Sequence, residues 1–250
     1  MINKEGLVMQ ERYLGDIHDF NKFLYIKFTS KNIKKKIGLN WYLVDPKTIN
    51  EERLKPNDGE KRNFIYKGNN MDLDNSIFIE MKKLENYEER TLRKFTSSSH
   101  LHKFVNFYNP ELKKENRKTW FQESLIFFKK NDYLFLDPDN GLIPKSIKAK
   151  SKKSIKYIFF SEIHDLLKIG KSVTFCQFQS YSKKFLSMLK EKNELLFQYS
   201  NLEINCPIIR NRTSPNTFFI TIAEQNLKNL LIKNIEDFAN KYKQVELISI

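Results

Sequence analysis

The sequence predicts an α/β fold, a mostly parallel sheet with helices on both faces and an antiparallel hairpin near the C-terminus. Three observations carry this. Apolar runs of strand length, Tyr133–Leu136 and Ser172–Phe178, alternate with longer segments whose apolar residues recur at helical spacing. Two strand-like runs break at Asp-Pro, at Asp45-Pro46 and at Asp137-Pro138, as strands leaving one edge of a sheet would. Two late β-rich runs flank Arg210-Asn211-Arg212-Thr213-Ser214-Pro215-Asn216, whose residue types suit a hairpin turn. No internal repeat and no Gly- or Pro-rich linker divides the chain. One domain is therefore expected over 1–250, with a surface insertion at about 50–115.

The first helix is expected from residue 17, with Ile17, Phe20, Leu24 and Phe28 on its apolar face and Asp16 or Gly15 as cap. Asp16, Asp19 and Lys22 follow a three-residue step and share a neighbouring face of that helix. Residues 37–44, Ile-Gly-Leu-Asn-Trp-Tyr-Leu-Val, suit a buried strand that ends at Asp45-Pro46. Within the insertion, Pro56-Asn57-Asp58-Gly59 punctuates a charged stretch, a helical pattern covers 74–89, and Ser97-Ser98-Ser99 breaks the next segment.

Residues 117–129 place Trp120, Phe121, Ser124, Leu125 and Phe128 on one helical face. There Arg117 beside Trp120 reads either as a base-stacking pair or as a core anchor with a rim arginine. The strand Tyr133–Leu136 follows, and then a basic loop, 143–156, with six lysines at 145, 148, 150, 152, 153 and 156. A helix over 157–167 stops before Gly170. After the strand Ser172–Phe178, with Gln177 and Gln179 at its exit, come a helix at 183–196, strands at 202–209 and 217–222, and a closing helix at 227–241.

Composition narrows the function classes. A formal charge of +14 and a pI near 9.5 attract polyanions, which makes nucleic acid the expected partner. No run approaches the roughly 18–20 apolar residues of a membrane span, and no leader pattern stands at the N-terminus, so no membrane partner and a cytoplasmic location are expected. Cys176 and Cys206 lie in apolar, strand-like context and read as small core residues. Four His and two Cys without ligand-like spacing speak against zinc, and no Gly-flanked Ser or Cys follows a strand as a nucleophile would.

The chemistry-bearing stretch is Asp137-Pro138-Asp139-Asn140-Gly141, two carboxylates and an amide gathered where a buried strand ends. In open α/β sheets, ligands bind outside the carboxyl ends of strands. Pro138 presets the loop, and Gly141 permits a positive φ or a close approach.

These residues carry a resemblance. Gly15-Asp16-Ile17-His18-Asp19-Phe20, Trp41-Tyr42-Leu43, Arg117-Lys118-Thr119-Trp120 and Phe135-Leu136-Asp137-Pro138-Asp139-Asn140-Gly141 resemble a bacterial family without an assigned function. More distantly, the layout is similar to class I S-adenosylmethionine (SAM) methyltransferases of the ribosomal-RNA adenine-N6 type. In those enzymes a helix bearing Asp and Lys precedes the first strand, and a later strand ends in D-P-P-Y. The resemblance implies a Rossmann-like fold and SAM as cofactor, with Gly15, Asp16, Asp19, Lys22 and Asp45 around it. It also implies Asp137, Asp139 and Asn140 as the catalytic loop that grips a target amino group. The chain departs from the pattern at Asp45-Pro46-Lys47-Thr48, which lacks the cofactor-approaching glycine, and at Asp139 and Asn140, which replace Pro and Tyr.

Base methylation is thus the first expected function. A Mg²⁺-dependent nuclease or phosphodiesterase holding metal through Asp137, Asp139 and Asp16 is the second. A nucleic-acid-binding partner subunit without turnover is the third.

Overall fold

The computed structural model describes residues 11, 13–49, 61–66, 72–180 and 182–250; the turn expected at 56–59 lies outside them. It is an α/β fold of Rossmann-like type, built on one seven-stranded mixed sheet. Helix α1 (Ile17–Ile33) leads into β1 (Ile37–Asn40), followed by α2 (Asn75–Lys83), α3 (Leu92–Ser98) and β2 (Val105–Tyr108). Next come α4 (Arg117–Phe127), β3 (Tyr133–Leu136), α5 (Phe160–Lys168), β4 (Ser172–Phe178) and α6 (Phe185–Ser200). The chain then forms β5 (Ile208–Asn211), β6 (Thr217–Ile222), α7 (Gln225–Lys241) and β7 (Val245–Ile248).

The sheet order is β2-β1-β3-β4-β6-β5-β7. The first four strands are parallel; β6 runs antiparallel to β4, β5 to β6, and β7 to β5. The expected hairpin is present, with β6 inserted between β4 and β5.

Period-two alternation explains the two cores. Tyr133 and Phe135 join a core with α1, α2, α3 and α7, whereas Leu134 and Leu136 join the opposite core with α4, α5 and α6. Cys176 and Phe219 face the first core, Phe175 and Phe218 the second. Both cysteines are free and buried, as their context implied. Among the described residues, no helix is long and apolar enough to cross a membrane.

Four sequence expectations need correction. Strand β1 ends at Asn40, four residues short of Val44: the Asn40 Oδ1 accepts the Tyr42 N–H (3.2 Å), and Tyr42 turns the chain with φ +50. Helix α1 is buried on most of its faces, because it lies between the sheet, α2 and α7. Residues 72–112 are no surface insertion; they supply β2 at the sheet edge and bury Ile77, Met81, Phe95 and Val105 in the first core. The last element is β7, not the helix before it.

Arg117 settles its own two readings. Its Nε and Nη2 donate to the two carboxylate oxygens of Glu162 (2.7 Å each), and Nη2 also reaches the Tyr157 carbonyl (2.7 Å). The guanidinium lies 3.6 Å from the Phe159 ring centroid, and both charged residues are buried. It is therefore a clamp joining α4 to the end of the basic loop and the start of α5, not an exposed base-stacking group. Glu162→Leu leaves that guanidinium buried without its counter-charge. We expect a stability loss of about 3–5 kcal/mol in urea unfolding, and a loss below ~1 kcal/mol would contradict the clamp.

Candidate functional site

The start of α1 is shaped by local hydrogen bonding. Asp16 caps the helix, its Oδ1 accepting the N–H groups of His18 (2.8 Å) and Asp19 (3.2 Å). Gly15, at φ +84, turns its own N–H onto the Asp19 carboxylate (2.8 Å). Asp19 then points along the helix to Lys22, whose Nζ donates to it at 2.6 Å. From the far side Asp137, at the exit of β3, accepts a second hydrogen bond from the same ammonium. Lys22 and Asp137, 115 positions apart in the chain, thus meet in one buried ion pair. Lys22 also lies 5.0 Å from the Trp41 ring centroid.

The loop after β3 is held from β4. The Gln177 Oε1 accepts the Leu142 N–H (3.0 Å), while its Nε2 donates to the Asn140 carbonyl (3.1 Å). A Cβ on Gly141, at φ +88, would stand 2.3 Å from that Oε1, so glycine is required on both steric and conformational grounds. The Asp137 N–H continues the sheet ladder onto the Asn40 carbonyl (2.9 Å).

Between these elements lies a cavity of about 360 Å³, within the size range of small-ligand sites. Asp16, His18, Asp19 and Lys22 line one side, and the 137–140 loop lines another. Lys156, Phe178, Gln179 and Pro215 complete the wall together with Tyr13. The His18 ring meets Phe178 edge-on (5.3 Å, 75°), and its Nδ1 bonds the Thr217 hydroxyl (2.7 Å).

Electrostatics within the cluster are set by burial. Burial, reinforced by Asp19, pushes the Asp16 carboxyl up to about 8, against the pull of its capping N–H groups and Lys22. Burial also lowers His18, to about 4, and leaves its imidazole neutral at pH 7. For Lys22, burial opposes the charge, yet the Asp137 and Asp19 carboxylates hold the ammonium protonated. Asp137 itself is raised by burial, with Lys22 pulling the other way. The Cys176 thiol adds a hydrogen bond to the same carboxylate.

The structure thus brings together Asp16, Asp19, Lys22, Asp137, Asp139 and Asn140, with Gly15 behind them as a hydrogen-bond donor. It does not bring Asp45. Because β1 stops early, Asp45 is carried away from the cavity, and its carboxylate caps Lys47 (2.9 Å) in a short helical turn. The metal set of Asp137, Asp139 and Asp16 is not supported either: the Lys22 ammonium already engages Asp137, and Asp16 is spent on the helix cap. Among the described residues, no three His, Cys, Asp or Glu side chains gather as ligands of a metal ion. Sequence reading passed over His18, Phe178 and Pro215. His18 adjoins Asp19 and was within reach, but Phe178 and Pro215 enter only through the β4–β6 pairing.

Asp16→Asn keeps the cap and removes a titrating group. A carboxyl raised from 3.8 to about 8 in the folded state stabilises the fold fully below pH ~4 and loses that contribution as pH climbs to about 8. We expect the fall in unfolding free energy between pH 4 and 8 to be shallower in Asp16→Asn, as read by urea titrations across that range. Parallel pH profiles for the two proteins would contradict the assignment. Comparison of the chain with protein-family models, curated proteins and solved structures gives no match.

Proposed function

We propose that this chain is a nucleic-acid-binding protein on a methyltransferase-like frame, and that its cavity receives an unpaired base. The observation that supports this best is the cavity wall itself. Phe178 offers a half-buried flat ring at one side. The same cavity is lined by the 137–140 loop, with the Asn140 carboxamide, which has no protein partner among the described residues. A carboxamide donates and accepts at once, and so reads the polar edge of a base. An aromatic face stacks on the base plane. The replaced tyrosine of the D-P-P-Y pattern thus has a counterpart supplied from β4. The charge of +14 provides the attraction to the phosphate backbone.

The sheet favours the frame: four parallel strands with helices on both faces, followed by a reversed strand, β6, between β4 and β5, make a Rossmann-like sheet with an antiparallel edge. The residues at the β1 exit do not fit SAM. Trp41, Tyr42, Leu43 and Val44 are all buried, all carry a Cβ, and none of them lines the cavity. A cofactor approaching that exit meets packed aromatic rings, Trp41 stacked on Phe107 at 6.2 Å and Tyr42 edge-on to Trp120 at 5.0 Å. Base capture without methyl transfer is the role proposed for the cavity.

Fluorescence anisotropy with a single-stranded oligonucleotide and its duplex tests the proposal. We expect preference for the single strand and affinity that falls with salt at a log–log slope of about −2 or steeper. Phe178→Ala should cost about 1–3 kcal/mol of single-strand affinity, and calorimetric titration with SAM should give no heat. Equal affinity in Phe178→Ala and wild type would remove the base cavity, and heat with SAM would restore the methyltransferase assignment.

A further inference from the structure

A second cavity, of about 510 Å³, adjoins the first and shares Asn140, Phe178 and Gln179 with it. The rest of its wall includes Lys145 and Ser146 of the basic loop, and Ser182, Lys183, Glu191 and Lys192 of the β4–α6 connection and α6. Lys192 is the unusual group. It is 6% exposed, yet its ammonium has one protein acceptor among the described residues, the Leu142 carbonyl at 2.6 Å. No carboxylate of the described residues pairs with it. The adjacent Glu191 is engaged by Lys183 at 2.6 Å. Lys145 also lacks an ion pair among the described residues.

A nearly buried cation without a counter-charge is costly unless an anion completes it. Here the space for that anion is open, and lysines and serines line it. We propose that this second cavity is a phosphate subsite, which holds a phosphate of the nucleotide whose base occupies the first cavity. The inference rests on the base-capture reading and adds to it the class of ligand: a phosphorylated nucleoside, free or within a strand. The shared residues Asn140 and Phe178 lie where base and phosphate would be joined through the sugar. The basic loop has a specific part in this arrangement, since Lys145 and Lys156 face the two cavities from its two ends.

Protonation supports the geometry. Burial lowers Lys192 to about 8, Glu191 pulling upward and Lys183 downward. Lys145 and Tyr157 are the other titratable groups on that wall. A bound phosphate dianion would restore the full charge, so binding near pH 8 takes up a proton.

Isothermal calorimetry on the full chain tests the subsite, with adenosine, adenosine 5′-phosphate and adenosine 3′-phosphate as probes. We expect one monophosphate to bind about ten- to a hundredfold more tightly than adenosine. At pH 8, comparison of two buffers of different ionisation enthalpy should show uptake of roughly half a proton per site. In Lys192→Met the ratio of monophosphate to adenosine affinity should fall toward one. Lys145→Gln, on the exposed loop, should lower the same ratio and keeps the test open if Lys192→Met does not fold. Phe178→Ala should weaken adenosine and monophosphates together. Adenosine binding without any phosphate advantage, or an advantage that survives both lysine substitutions, overturns the subsite and leaves the base cavity standing. Absence of binding by all three compounds overturns both.

Discussion

One buried ammonium organises this molecule. Lys22 sits between Asp19 of its own helix and Asp137 at the exit of β3, and so ties the N-terminal helix to the strand end where a ligand would enter. Such a cluster is poor at adding net stability, because desolvating three charges offsets most of their attraction. What it supplies is position: losing any one partner strands the others in a low-dielectric site. The local structure shows how far the chain goes to build it. Asp16 holds the first turn, and Gly15 adopts a left-handed conformation so that its N–H orients Asp19.

The sheet supplies the second half of that constraint. Because β3 and β4 are parallel neighbours, their carboxyl ends open on the same side, and the loop after β3 rests on Gln177 of β4. The antiparallel β6 brings Pro215 and Thr217 back to that edge, beside His18. Farther out, the Arg117–Glu162 clamp fixes the return of the basic loop. Gln177 and the clamp therefore hold, from two sides, a loop whose own sequence is mostly polar. Two connected cavities form at this edge, one with a flat ring and an amide, the other with lysines. On the proposed reading, that division serves the two halves of a nucleotide.

Local patterns announced part of this, and long-range packing decided the rest. The three-residue step of Asp16, Asp19 and Lys22 and the abrupt end of an apolar run at Asp137 were legible, because helical spacing and strand termination are properties of short windows. Asp45 misled for the same reason. Its Asp-Pro break looks like that at Asp137, but β1 had already ended at Asn40, where a side chain replaced the ladder and Tyr42 reversed the chain. Strands β2 and β7 interrupt their apolar residues with Asn106 and Glu246, so no continuous apolar run marks them, and pairing with β1 and β5 defines them. Phe178 and Gln177 sit in adjacent positions of one strand with unrelated tasks, a distinction that depends on what the opposite faces of the sheet meet.

The central claim, that Lys22 couples the opening helix to the β3 exit, is tested most directly by a double-mutant cycle. Lys22→Met, Asp137→Asn and the double variant would be compared with the wild type by urea unfolding at pH 7. Groups that share one buried hydrogen-bonded network couple by up to about 3 kcal/mol, and we expect roughly 2–3 kcal/mol here. Additivity within about 0.5 kcal/mol would show that the two residues act independently, and the account of the site would fall with that result.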